Sequence, residues 1–122
     1  MKFLVVDDSA TMRRIVVNSL HRIGFSETVE AADGAEALAK FDHTVKFVIT
    51  DWNMPTMSGT EFTRALRLRS DGKNVPVLMV TARSVRDDIL VAMEAGVNNY
   101  IVKPFTPQVL KEKIDALLPA AA

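Results

Sequence analysis

The 122-residue sequence predicts a single α/β domain built on a doubly wound, five-stranded parallel sheet with five helices. Three observations carry this expectation. Short apolar runs and helical patterns alternate five times along the chain. The runs at residues 3–6, 47–50 and 77–80 are continuous rather than alternating, which suits strands covered on both faces. Apolar residues make up 48% of the chain, enough for a sizeable core and too many for a disordered segment.

The elements follow in order. The first strand is expected over residues 3–6. The helix after it rests on Met12, Ile15, Val16, Leu20 and Ile23 at helical spacing, with Gly24 as a natural stop. A second strand covers 28–31, and a short helix runs from about 35 to 41. The strand at 47–50 is followed by a helix carrying Phe62, Ala65 and Leu66. The strand at 77–80 leads to a helix from Val85 to Ala95, closed by Gly96. A fifth strand at 100–102 precedes a helix opened by Thr106-Pro107, a cap and a first-turn proline. Leu110, Ile114, Leu117 and Leu118 form its apolar stripe. Parallel strands joined this way require right-handed crossovers.

Composition removes several function classes. Lys plus Arg and Asp plus Glu balance at 15 each, which gives no reason to expect nucleic acid or an anionic membrane. The chain has no cysteine, so disulfides and thiolate metal sites are impossible. No run approaches the roughly 18 apolar residues of a membrane span, and Met1 leads straight into a strand-like run rather than a signal peptide. A cytoplasmic monomer is expected, and the closing Pro119 and alanines leave no room for an output domain.

In open α/β sheets, ligands bind beyond the carboxyl ends of the strands. The first run closes with Asp7-Asp8, the third with Asp51, the fourth with Thr81 and the fifth with Lys103. Three carboxylates against one ammonium leave this rim negative. Two carboxylates about 4 Å apart repel by roughly 4 kcal/mol at an effective dielectric of 20, so protons or a cation must offset them. A hard divalent cation with oxygen ligands is the natural partner, and Mg²⁺ favours few carboxylates, several waters and a phosphate. Thr81 adds a hydroxyl donor and Lys103 a point charge suited to phosphate oxygens. A carboxylate can attack phosphorus. The rim therefore reads as phosphoryl transfer onto an aspartate.

At these residues the sequence resembles the receiver domain of bacterial two-component signalling, over its whole length (residues 1–122). The matching motifs are Asp7-Asp8, the stretch from Asp51 through Trp52, Asn53, Met54 and Pro55 with Gly59 beyond, Thr81-Ala82, and Lys103-Pro104-Phe105. Trp52, Asn53, Tyr100 and the length are similar to single-domain chemotaxis members. The resemblance implies a flavodoxin-like strand order 2-1-3-4-5. It implies that Asp51 is the phospho-acceptor, with Lys103 and Thr81 contacting the phosphoryl group. Mg²⁺ would be held by Asp8, Asp51 and the backbone carbonyl of Asn53, and by Asp7 through water. The Lys103-Pro104 bond would be cis. Thr81 and Tyr100 would form the switch. Taken alone Tyr100 is an ordinary strand aromatic, and only the resemblance gives it that role. Asn53 and Arg83 would border the phosphoryl oxygens and tune the lifetime of the acyl phosphate; Arg83 stands where the best-known chemotaxis member has an acid. The implied partners are a sensor histidine kinase of the chemotaxis type, a flagellar motor switch protein or another target, and a phosphatase.

Ile89, Leu90, Val91 and Met93 cannot all face the sheet, because Ile89 and Val91 point about 200° apart on a helix. Exposed apolar surface is expected there, with Ile89, Tyr100 and Lys113 marking an output face. His21 and His43 read as surface residues. Arg64, Arg67 and Arg69 read as a solvated helix face, and the six methionines as core filler.

Two other classes compete. A phosphatase of the haloacid-dehalogenase type needs a second acid two residues past its nucleophile, and Asn53 stands there. An FMN carrier would be repelled by Asp7-Asp8. No G-x-G-x-x-G or P-loop is present, since Gly72-Lys73 is followed by Asn74. The stretch from Asp51 is no EF-hand, because Thr56 and Phe62 occupy its sixth and twelfth positions. The domain is thus a switch rather than an enzyme that turns over an external substrate. A stand-alone or excised receiver acting as phosphate sink or relay shuttle is the alternative within that class.

Overall fold

The computed structural model describes residues 1–82 and 86–118, and for residues 86 and 87 the backbone alone. Five parallel strands, β1 (Lys2–Val6), β2 (Glu27–Ala31), β3 (Val45–Asp51), β4 (Val77–Thr81) and β5 (Asn99–Val102), lie in the order β2-β1-β3-β4-β5. Five helices connect or follow them: α1 (Ala10–Arg22), α2 (Gly34–Lys40), α3 (Gly59–Arg67), α4 (Arg86–Ala95) and α5 (Pro107–Leu117). Val85, expected to open the fourth helix, and Arg83 lie outside the described residues.

The continuous apolar strands are explained by helices on both sheet faces. Leu4, Val6, Val48, Val77 and Met79 pack with Phe62 and Leu66 of α3 and Ala92 of α4. Phe3, Val5, Phe47, Ile49, Leu78 and Val80 pack with Val16 and Leu20 of α1 and Leu110 and Ile114 of α5. Successive residues point to opposite faces, so a strand buried on both sides has no polar position until its end. The edge strand β2 alternates weakly and buries only Ala31 fully.

Helix ends follow their sequence signals. Ser9, Asp33, Ser58 and Thr106 cap α1, α2, α3 and α5, and Ser58 with Glu61 forms a reciprocal capping box. Gly24 and Gly96 take positive φ (101° and 111°) after α1 and α4. In each case two amides fold back onto the last turn, Phe25 N to Leu20 O and Gly24 N to His21 O after α1, and Val97 N to Ala92 O and Gly96 N to Met93 O after α4.

Some expectations are corrected. Ile15 is 45% exposed while Val17 is buried; the α1 stripe is rotated toward the pair it must make with α5. The arginines are not a solvated face. Arg64 is exposed, but all donors of Arg67 are used, on Gly72 O, Val75 O, Gly96 O and Asn98 Oδ1. Arg69 donates to Leu38 O and Phe41 O and sits 5.4 Å over the Phe41 ring. Planar guanidinium forks suit such carbonyl clusters. Among the methionines, Met54 and Met79 are core, while Met1 and Met93 are exposed. His21 and His43 are exposed, as expected.

Thr56 in the β3–α3 loop has φ 64°. A β-branched residue there is strained by about 1–2 kcal/mol relative to its ordinary regions. Thr56→Asn is therefore expected to stabilise the fold by roughly 0.5–1 kcal/mol, read as a higher urea midpoint at unchanged slope. A lower midpoint would contradict this account. Among the described residues no helix is long and apolar enough to cross a membrane.

Candidate metal and phosphoryl site

Sheet register brings the polar strand ends together. Val6 pairs with Thr50, so the next residues, Asp7 and Asp51, emerge side by side. Thr81 pairs with Val102, and the Lys103 amide donates to Thr81 O at 2.8 Å. The buried strands leave these groups little freedom, and their carboxylates and hydroxyl meet at one rim.

Among the described residues, Asp7, Asp8 and Asp51 each offer a carboxylate oxygen, and these oxygens lie within 4.8 Å of one another. Lys103 Nζ lies 3.1 Å from Asp51 Oδ1 and 3.7 Å from Asp7 Oδ2. Asp7 and Asp51 are buried and Asp8 is exposed. Asp51 Oδ1 also accepts from the Trp52 amide at 3.0 Å. The cleft, about 660 Å³, is lined by all three acids with Thr81, Lys103 and Asn53, and also by Ser9, Met12, Trp52 and Ala82. The Lys103–Pro104 bond is cis.

Close approach of α3 completes the rim. The Gly59 amide donates to Trp52 O at 2.9 Å, and a Cβ on Gly59 would lie 2.2 Å from Asp51 O. Only glycine lets the helix start this near the acid.

Burial pushes the Asp7 carboxyl above its ordinary value of 3.8, and repulsion from Asp51 and Asp8 adds to the rise. The Ser9 amide hydrogen bond and the Lys103 charge partly offset it. Because the folded state holds this proton more tightly than the unfolded chain, Asp7 contributes stability below 3.8 that is lost as pH rises through its raised folded value. Ionising Asp7 in the folded state therefore costs stability. Asp7→Asn keeps an acceptor for the Ser9 amide and is expected to melt higher than the parent without divalent cation, with a smaller gain on adding Mg²⁺. An equal or lower melting point without cation would contradict this.

The donor set fits a small hard dication. Three carboxylates converge with open cleft space for waters, and among the described residues no sulfur or imidazole ligand takes part. Asp7, Asp8, Asp51, Thr81 and Lys103, grouped from the sequence, line one cleft. Ser9, Met12 and Ala82 were not foreseen as lining; Ser9 and Ala82 directly follow Asp8 and Thr81, and Met12 lies in the first turn of α1.

Tyr100 is half-exposed, and Lys113 Nζ lies 5.5 Å over its ring. Tyr100, Thr81 and Ile89 border a cavity of about 10 Å³ beneath α4, close to the size of one water. Ile89 faces this cavity, so the exposed apolar surface of α4 comes instead from Leu90, Val91 and Met93, each 42–48% exposed.

A family model described as the response regulator receiver domain matches residues 3–115. The chain is 51% identical over 120 residues to the chemotaxis protein CheY1 of Helicobacter pylori, covering 97% of each. It is 53% identical over 118 residues to the chemotaxis protein CheY of Pseudomonas aeruginosa, covering 96% of this chain and 95% of that one. Among solved structures it is similar to the chemotaxis protein CheY4 of Vibrio cholerae, with a TM-score of 0.90, 38% identity, and 96% and 98% of the two chains covered.

Proposed function

The chain belongs to the response regulator receiver family, a family of signalling switches, and from that membership we propose that it is a chemotaxis switch charged on Asp51. The observation that carries this reading is the Lys103–Asp51 contact inside a rim of three acids.

In the proposed transfer, an Asp51 carboxylate oxygen attacks the phosphorus of a phosphohistidine on a sensor histidine kinase. The P–O bond forms as the P–N bond breaks, and the imidazole nitrogen takes up a proton. Asp8, Asp51 and the Asn53 carbonyl, with Asp7 through water, would hold Mg²⁺, which when bound supplies charge neutralisation for the phosphoryl oxygens. Lys103 leaves its 3.1 Å contact with Asp51 to pair with the incoming oxygens. Thr81 donates its hydroxyl to the same group, and Tyr100 moves into the space beneath α4. That is a two-state packing change biased by a new charge. Asn53 and Arg83 tune the lifetime of the acyl phosphate. The whole chain acts as one receiver in the cytoplasm, and its output face, around Tyr100, Lys113 and the exposed Leu90, Val91 and Met93 of α4, meets a flagellar motor switch protein.

Treatment with beryllofluoride and Mg²⁺ tests this output. The treated chain is expected to capture a motor switch protein that the untreated chain binds weakly. Equal capture by both would overturn the motor reading. Phosphoryl transfer without target capture would favour a phosphate sink or shuttle.

A further inference from the structure

We propose that Arg13 is a positioning residue for divalent-cation binding, because its guanidinium holds the peptide that aims the acid pair. The inference rests on the metal reading above and extends it to a residue outside the cleft lining.

Asp7 is gripped at each of its polar groups. Its amide donates to Ala31 O at 3.1 Å, and its Oδ1 accepts from the Ser9 amide at 2.9 Å. Its carbonyl accepts from Arg13 Nη1 at 2.7 Å. Asp8 has no such support from burial, since it is exposed. The Asp7–Asp8 peptide is planar, so fixing the Asp7 carbonyl also fixes the Asp8 amide. With Ser9 tied down on the other side, the backbone at Asp8 is held from both ends. Arg13 therefore orients a carboxylate that it does not touch.

Arg13 reaches this place because it lies one turn past the cap, its amide donating to Ser9 O. Helical side chains lean toward the N-terminus, here toward the strand ends. Its Nε is 3.3 Å from Glu30 Oε1 on the edge strand β2. The rigid fork lets one edge take the carboxylate and another the carbonyl. A lysine at this position would lack that geometry.

Charge and position predict opposite signs. Deleting a cation beside an acidic cleft strengthens its negative potential and by itself tightens Mg²⁺ binding. Deleting the grip on the Asp7 carbonyl loosens the acid pair and weakens binding. Partners that orient metal ligands are worth about 10- to 100-fold in affinity.

The test is a Mg²⁺ titration of the full chain followed by Trp52 fluorescence. Trp52 is the only tryptophan and lines the cleft. Arg13→Ala is expected to weaken Mg²⁺ binding about 10-fold or more. Arg13→Lys, long enough to donate to the Asp7 carbonyl but unable to hold Glu30 as well, is expected to recover part of that loss, although its charge alone would weaken binding. Melting in the absence of Mg²⁺, followed by circular dichroism, confirms that both variants are folded at the titration temperature. Unchanged or tighter binding by Arg13→Ala would overturn the proposal, and so would a loss that Arg13→Lys does not recover in part. Asp8→Asn separates the two levels. If Asp8→Asn binds Mg²⁺ like the parent, the metal reading itself fails. If it loses binding while Arg13→Ala keeps it, only the role of Arg13 fails.

Discussion

Asp51→Asn is expected to abolish labelling by acetyl phosphate in the presence of Mg²⁺, the largest functional effect in this protein. The amide keeps the size of the side chain but lacks the anionic oxygen that attacks phosphorus. It also removes one of three clustered carboxylates and the 3.1 Å ion-pair partner of Lys103. The fold should survive, because Asp51 closes β3 and the apolar residues that anchor the strand, Phe47, Val48 and Ile49, are unchanged. Intact-mass measurement after incubation with the phosphodonor reads the result. A variant that gains the phosphoryl mass to the same extent as the parent would mean that Asp51 is not the acceptor.

Gly59→Ala is expected to have the largest structural effect on the site. The added methyl would lie 2.2 Å from Asp51 O and 3.2 Å from the Met79 methyl. The nearer atom is backbone, so no rotamer change relieves the contact. Either the start of α3 backs away, losing the Gly59 amide bond to Trp52 O at 2.9 Å, or Asp51 shifts from the rim. Overpacking of this kind costs about 1–3 kcal/mol, and here it also displaces the acceptor. Both a lower urea midpoint and slower labelling are expected. Wild-type values for both would show that α3 can retreat freely and that its close approach does not set the geometry of Asp51.

How much of this was legible in the residues depends on the kind of signal. The strands of the core announced themselves because residues 47–49 and 77–80 are apolar without a break, and burial on both faces demands no polar position. The site was legible because the register of a parallel sheet places successive strand ends at one rim, so Asp7, Asp8, Asp51, Thr81 and Lys103 could be grouped before their distances were known. Asp51 in particular stands out, since an apolar strand ending in an acid has no packing reason to do so. The strand order and the switch role proposed for Tyr100 were different. They came with the family resemblance, since nothing in local periodicity distinguishes one order of parallel strands from another.

The arginines were misread for a physical reason. Arg64, Arg67 and Arg69 were read together as one exposed helix face, but Arg69 lies past the end of α3, and Arg67 and Arg69 donate largely to backbone carbonyls of Gly72, Val75, Gly96, Leu38 and Phe41. Carbonyl positions depend on how loops close, and side-chain patterns carry no record of that. Arg13 was missed likewise: its link to Asp7 is to a main-chain oxygen. Ile15 and Val17 point about 200° apart on α1, so one buried stripe cannot hold both, and the packing of α1 against α5 buries Val17 and leaves Ile15 exposed.

The central claim is that clustered acids at the strand ends must be bridged by a dication before Asp51 can accept a phosphoryl group. The most direct measurement is intact-mass analysis of the parent chain with acetyl phosphate, in Mg²⁺ and in excess chelator, followed by borohydride reduction and peptide mapping. The account predicts one added phosphoryl group with Mg²⁺, mapped to Asp51, and none in chelator. Equal labelling in chelator, or a label mapped to any other residue, would contradict it.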